Sequence, residues 1–224
     1  MKPAQARAMY DRIGRIQDWQ FYEDRAVAHL LADSALPTAH PVFEFGCGTG
    51  SLAARMLELL PRTARYLGVD VSPVMVALTT KRLAAWADRA QVRQVDGSLP
   101  LPADTNTADR IVSAYVFDLL DDSDIVAVLD EFERILTDDG LVCLVSLQPG
   151  ITGLERVISG LWTMVWRRAP QLLGGCRPIQ LDQLLDQRWT VRHRRVVHAW
   201  GLVSEVVVAA PRQIGRMLMP PDDG

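Results

Sequence analysis

The chain has 224 residues, 49% of them hydrophobic, and a formal net charge of -3 at pH 7. It can therefore bury a full core as one domain. Three cysteines, Cys47, Cys143 and Cys176, are an odd number without metal-like spacing, so neither a disulfide framework nor a zinc site is suggested. No uncharged apolar run is long enough to cross a bilayer, and Met1 to Arg7 lacks an apolar signal core, so the expected location is cytoplasmic.

In chain order, residues 4–32 read as helix in two pieces broken near Gly14. Val42 to Phe45 is an apolar strand, followed by a Gly-rich turn and a helix over Ser51 to Leu60 whose Leu52, Met56, Leu59 and Leu60 share a face. Arg65 to Val69 is a strand, Pro73 to Ala87 a helix with proline in its first turn, and Val92 to Val95 a short strand. Ile111 to Val116 is a strand and Ile125 to Leu136 a helix, ended by Asp138-Asp139-Gly140 before a strand over Leu141 to Leu147. Strands alternating with helices predict an α/β fold with a doubly wound, mainly parallel sheet.

Beyond residue 150 the pattern changes. Leu154, Val157, Ile158, Leu161, Trp162 and Val165 fall at helical spacing, and a shorter helix is expected over Leu181 to Gln187. Thr190 to Trp200 and Val203 to Ala209 read as two strands joined around Gly201. The expected layout is a helical cap over 1–40, a core over 41–150, a lid over 151–188 and a terminal hairpin over 189–210.

The turn after the first strand carries the chemistry. In Glu44-Phe45-Gly46-Cys47-Gly48-Thr49-Gly50 the third glycine stands one place earlier than in the dinucleotide fingerprint G-x-G-x-x-G, which would require glycine at Ser51. Asp70 ends the second strand twenty residues after Gly50. This E-x-G-x-G-x-G motif, with Asp70, Asp96-Gly97 and the strand ending at Ala114-Tyr115, resembles class I S-adenosylmethionine-dependent methyltransferases. The resemblance implies a seven-stranded Rossmann-like sheet with an antiparallel last strand and a helical lid. It implies S-adenosylmethionine as cofactor, S-adenosylhomocysteine as product, and no metal.

The resemblance also implies roles. Glu44 would help hold the cofactor ammonium, while Gly46, Cys47, Gly48 and Gly50 would form the loop beneath it. Asp70 would accept from the ribose hydroxyls, Val71 and Met75 would flank the adenine, and Asp96 with Gly97 would meet its amino group. The backbone at Ala114 would face the methionyl end. For Asp70 a cap on the helix starting near Ser72, and for Asp96-Gly97 an ordinary turn, are the alternative readings. Tyr115 to Leu120, Glu131 to Leu136 and Tyr10 to Gly14 are most similar to the ubiquinone and menaquinone biosynthesis methyltransferases. There Tyr10 would fold over the cofactor.

Two candidate catalytic residues follow, Asp118 and Tyr10. Asp118 stands after the fourth strand, where many of these relatives carry a histidine; it would deprotonate a hydroxyl acceptor, or else is a helix cap or surface charge. Tyr10 and Tyr22 would orient substrate, and Tyr115, Trp162 and Trp166 would line its pocket, unless the tryptophans are plain core.

Residues 151–224 carry ten arginines against six acidic residues, and Arg192, Arg194 and Arg195 cluster on the hairpin. They could meet an anionic acceptor or RNA phosphates, but no RNA-binding module is present and nucleic acid is not the expected partner. The expected acceptor is a small, partly apolar molecule. Peripheral membrane contact, a homodimer, and a cofactor-binding but non-catalytic scaffold stay open.

Overall fold

The computed structural model describes residues 23–168 and 176–212. Strands β1 (Val42–Phe45), β2 (Tyr66–Asp70), β3 (Ala90–Gln94), β4 (Ala108–Ala114), β5 (Leu136–Gln148), β6 (Trp189–Ala199) and β7 (Leu202–Pro211) form one sheet in the order β3-β2-β1-β4-β5-β7-β6. Neighbours from β3 to β5 are parallel, and β7 runs antiparallel to both β5 and β6. The helices are α1 (Glu23–Asp33), α2 (Ser51–Leu59), α3 (Pro73–Arg82), α4 (Asp122–Ile135), α5 (Gly153–Arg168) and α6 (Leu181–Leu184). This is the doubly wound sheet that the alternation predicts.

Two apolar layers hold the sheet. Because side chains alternate along a strand, Val112, Cys143, Val145, Val206 and Val208 lie with Leu30 of α1 and Leu52 and Met56 of α2. Ile111, Val142, Leu144 and Val207 lie with Ile125, Leu129 and Phe132 of α4. Strands covered on both faces must be apolar at successive positions, which is why β5 and β7 read as nearly unbroken valine and leucine runs.

Local chemistry sets the element ends. Ser72 caps α3 by accepting from Met75 N at 3.2 Å, with Pro73 in the first turn, where its missing N–H costs nothing. Arg89 donates to Leu57 O at 2.7 Å and Pro61 O at 2.8 Å, satisfying carbonyls at the end of α2. Trp200 and Gly201 both take positive φ, 55° and 79°, as a two-residue hairpin turn between right-twisted strands requires.

Some boundaries differ from the sequence expectation. The helix from Pro73 ends at Arg82, and the chain tightens into a 3-10 turn over Ala84–Trp86. The helix at Leu181 is a single turn, and β5 starts at Leu136, so Asp138-Asp139-Gly140 lie within the strand. Leu136 pairs with Ala108 across an irregularity between Ala108 and Arg110. Of the expected amino-terminal helices, residues 4–22 lie outside the described residues.

The basic hairpin is tied to carboxylates of its own chain. Arg194 Nε donates to Glu205 Oε1 at 2.6 Å, and its Nη2 lies 3.1 Å from Asp182 Oδ2. Glu205 is fully buried, and its other oxygen accepts from Leu181 N at 2.7 Å, so α6 is pinned to the sheet. Arg195 holds Asp33 at 2.6 and 3.1 Å. Two of the three arginines offered for an anionic acceptor or RNA are therefore engaged within the fold; Arg192 is exposed.

Removing Arg194 strands a buried carboxylate, whereas Arg192 has no carboxylate partner among the described residues. Arg194→Ala should lower the unfolding free energy by about 3 kcal/mol, and Arg192→Ala by less than about 0.5 kcal/mol. Urea denaturation compares the two, and equal small losses would contradict the clamp.

Candidate functional site

Strand β1 ends against the carboxyl ends of β2 and β4, and the chain leaves it through three glycines with positive φ: Gly46 at 77°, Gly48 at 52° and Gly50 at 77°. Gly46 is required twice over, since its φ is left-handed and a Cβ would overlap the Val116 side chain. Gly48 differs, because a Cβ there meets no described atom within 4 Å: among the described residues one side of the loop is open. Gly46 N and Cys47 N both donate to Val69 O, at 2.9 and 3.0 Å, so the loop folds back over the end of β2. Thr79 of α3 supports it from behind, donating to Gly48 O at 2.6 Å.

Asp70 joins the pieces. Its Oδ2 accepts from Gly48 N and its Oδ1 from Ser72 N, both at 2.9 Å. The carboxylate thus fixes the glycine loop and the start of α3 together, more than the cap that sequence suggests as an alternative. Cys47 is buried behind the loop, where desolvation and then the nearby Glu44 and Asp70 carboxyls push its thiol upward, so it is an inert filler.

Glu44 lies on the adjacent strand and is 2% exposed. It pairs in register with Gly68, and Tyr66 stands two residues earlier on the same face of β2. The Tyr66 hydroxyl donates to Glu44 Oε2 by reaching across Gly68, where a Cβ would collide with that hydroxyl. Burial, reinforced by Asp70 and opposed by the Tyr66 bond, pushes Glu44 up to about 8. Near neutrality it is largely protonated. The paired arrangement suits an incoming cation, which would draw Glu44 to its charged form.

The other expected residues are distributed unevenly. Val71 is half-buried, with its carbonyl 3.4 Å from Gln94 Nε2, and Met75 is buried within α3. Asp96 is exposed and accepts from Ser98 N at 2.9 Å and Ser98 Oγ at 2.6 Å, forming a turn with Gly97 at φ 86°. At the end of β4, Ala114 is followed by Tyr115 in the left-handed region at 55°. Tyr115 is buried, its ring in the core and its hydroxyl 2.9 Å from Ser204 Oγ, in place of the open pocket wall that sequence suggests. Tyr10 and Tyr22 lie outside the described residues.

Asp118 is neither a helix cap nor a surface charge. It is fully buried in a 3-10 turn, Phe117–Leu119, with Leu147 N 3.5 Å from its Oδ2 and Arg177 N donating to its backbone carbonyl at 2.9 Å. Burial drives it up to about 7 against the pull of the Leu147 N–H. Trp162 is also better described as a fastener than as a pocket wall: its indole N–H donates to Cys176 O at 2.9 Å and its ring packs on the core. Trp166 is half-buried on the same helix.

Tyr66, Gly68 and Thr79 are the residues that sequence reasoning passed over. The signal for Tyr66 was its alternation with Gly68 and Asp70 on one strand, which places its ring beside whatever faces Gly68 on β1.

Glu44 makes stability depend on pH with a definite sign. Since its folded value lies above the unfolded 4.5, the folded protein holds a proton that the unfolded chain releases, and stability falls as pH rises from about 4.5 to about 8. Asp118 acts in the same direction up to about 7. Between pH 7 and 8.5 the remaining slope of melting temperature belongs mainly to Glu44, so Glu44→Gln should flatten it. An unchanged slope in a folded Glu44→Gln protein would contradict the protonated carboxyl.

Residues 42–140 match the Methyltransferase domain family model (Methyltransf_25). The chain is 32% identical over 130 residues to the demethylmenaquinone methyltransferase of Shouchella clausii, covering 57% of this chain and 52% of that protein. It is 27% identical over 136 residues to the tRNA N(3)-methylcytidine methyltransferase Mettl2 of Drosophila melanogaster, covering 59% of this chain and 42% of that one. The chain thus spans about half the length of these curated relatives. Among solved structures, N-methyltransferase NodS from Bradyrhizobium japonicum WM9, in complex with S-adenosyl-l-homocysteine, superposes with a TM-score of 0.66 at 16% identity, covering 88% of this chain and 90% of that one. Residues 42–140 are thus similar to a methyltransferase domain, and the sheet they build has the fold of a methyltransferase structure.

Proposed function

We propose that this chain transfers the methyl group of S-adenosylmethionine to a small, partly apolar acceptor. The observation that carries the reading is the pair of carboxyls, Glu44 and Asp70, set beside a glycine loop whose Gly48 is open on one side. Glu44 would receive the cofactor ammonium, and Asp70, which ends β2 beside the glycine loop, the ribose hydroxyls. Val71, Met75 and the Asp96-Gly97 turn would border the adenine, and the backbone at Ala114 the methionyl end.

When bound, the cofactor supplies a methyl already activated by its sulfonium. The chain's task is then to hold the acceptor in line and keep water out. For a hydroxyl acceptor a proton must leave, and Asp118, whose burial drives it up to about 7, would be the base. For an amine, thiol or carbanion no such group is needed. The lid over 151–188 would cover the acceptor, with Trp162 donating to Cys176 O within that segment and packing its ring on the core. A small molecule is favoured over RNA because Arg194 and Arg195 are engaged by Glu205, Asp182 and Asp33.

Asp70→Asn keeps the side-chain shape but loses the charge and one of the two acceptors for Gly48 N and Ser72 N, and hydrogen bonds to charged groups contribute about 1.5–3 kcal/mol. The variant should bind S-adenosylhomocysteine about 10- to 100-fold more weakly while remaining folded by circular dichroism. Unchanged affinity would contradict the assigned site. Transfer of labelled methyl to any member of a broad acceptor panel supports the enzyme, and tight cofactor binding without transfer would point to the scaffold.

A further inference from the structure

We propose that a groove along α5 binds the acceptor, and that it selects acceptors carrying an anionic group, carboxylate or phosphate, beside an apolar body. The inference rests on the methyl-transfer reading above and adds the substrate's charge to it.

The groove has a volume of about 660 Å³ and is lined by Pro149, Gly150, Arg156, Gly160, Met164 and Arg168, among others. That volume is of the size of small-molecule sites. It opens at the first residues after β5, and β5 stands two strand spacings, about 10 Å, from β1 and its glycine loop. Ligands of open α/β sheets bind at this carboxyl edge. Gly150 is packed against the first turn of α5 so closely that a Cβ would overlap the Glu155 carbonyl, which sets Arg156 beside the strand end.

Arg156, Gly160, Met164 and Arg168 recur every four residues and so form one face of the helix, about 18 Å long. Trp162 occupies a different face, against the core. The groove is therefore separate from the packing that holds the lid down.

Charge points to the ligand. Arg177, Arg188, Arg194 and Arg195 each hold a carboxylate. Arg156 and Arg168 have no carboxylate partner among the described residues, and none of the groove's lining residues is acidic. The neighbouring acid, Glu155, is turned away: Oε2 accepts from Ile151 N at 3.2 Å and Thr152 N at 2.9 Å, and Oε1 lies 2.6 Å from His198 Nδ1. Two guanidiniums over a concave wall give a positive field suited to a carboxylate or phosphate.

Gly160 is the independent observation. A glycine inside a helix costs about 1 kcal/mol relative to alanine, yet a Cβ at Gly160 would meet no described atom within 4 Å. Packing within the described chain does not call for it. It leaves the middle of the groove clear, with Met164, 46% exposed, as an apolar neighbour.

The test is calorimetric titration of the full chain, at low ionic strength, with octanoate and octyl phosphate against octanol and octyltrimethylammonium, run beside a titration with S-adenosylhomocysteine. Both anions should bind, and the double variant Arg156→Gln/Arg168→Gln should weaken them at least tenfold. The two anions separate carboxylate from phosphate preference. Gly160→Ala should raise the melting temperature yet weaken anion binding, an opposition that a purely structural glycine would not produce. Equal binding of the alcohol or the cation, or anion binding untouched by the arginine and glycine variants, would overturn the groove. S-adenosylhomocysteine binding without anion binding overturns the groove alone; anion binding without S-adenosylhomocysteine binding overturns the methyl-transfer reading and, with it, the acceptor role.

Discussion

Asp70 closes a gap that the sheet alone leaves open, because the loop after β1 and the helix after β2 have no strand pairing to align them. One carboxylate accepts from Gly48 N and Ser72 N, and the loop answers by donating Gly46 N and Cys47 N to Val69 O. Thr79 then locks the loop carbonyl from α3. The glycines supply the backbone conformations for this path, and Asp70 selects the one that is kept.

Anchoring the loop with an acid has an electrostatic consequence. Burial is the main cause that raises Glu44, and the neighbouring Asp70 adds to it. Tyr66 holds that protonated acid in place across Gly68. In the proposed reading, Glu44 would meet the positive charge of S-adenosylmethionine and Asp70 its neutral hydroxyls. Elsewhere the fold handles buried acids otherwise: Glu205 is neutralised by Arg194 and anchors α6, whereas Asp118 is left with one long contact and a raised proton affinity.

Features governed by neighbours in the chain were legible in the sequence. The strand, glycine loop and helix around Gly46 to Leu59 follow from local alternation, left-handed backbone and helical spacing, and the doubly wound, mainly parallel sheet follows from βα alternation, whereas its seven strands and antiparallel end were implied by the family resemblance. Features governed by neighbours across the sheet were not. Tyr66 meets Glu44 only through the register that sets Glu44 against Gly68. Tyr115 follows the active strand in sequence, but a φ of 55° accompanies its ring's placement in the core. Trp162 and the hairpin arginines looked like recognition residues because their partners, Cys176 O, Glu205 and Asp33, lie on elements whose placement no periodicity reveals.

The most direct measurement is calorimetric titration of the unaltered protein at pH 7 with S-adenosylmethionine and S-adenosylhomocysteine, in two buffers of different ionisation enthalpy, with nicotinamide adenine dinucleotide as control. The account predicts that both adenosyl ligands bind and the dinucleotide does not. It also predicts a buffer-dependent heat, because Glu44 releases its proton as the ammonium arrives. No adenosyl binding, or a preference for the dinucleotide, would contradict it.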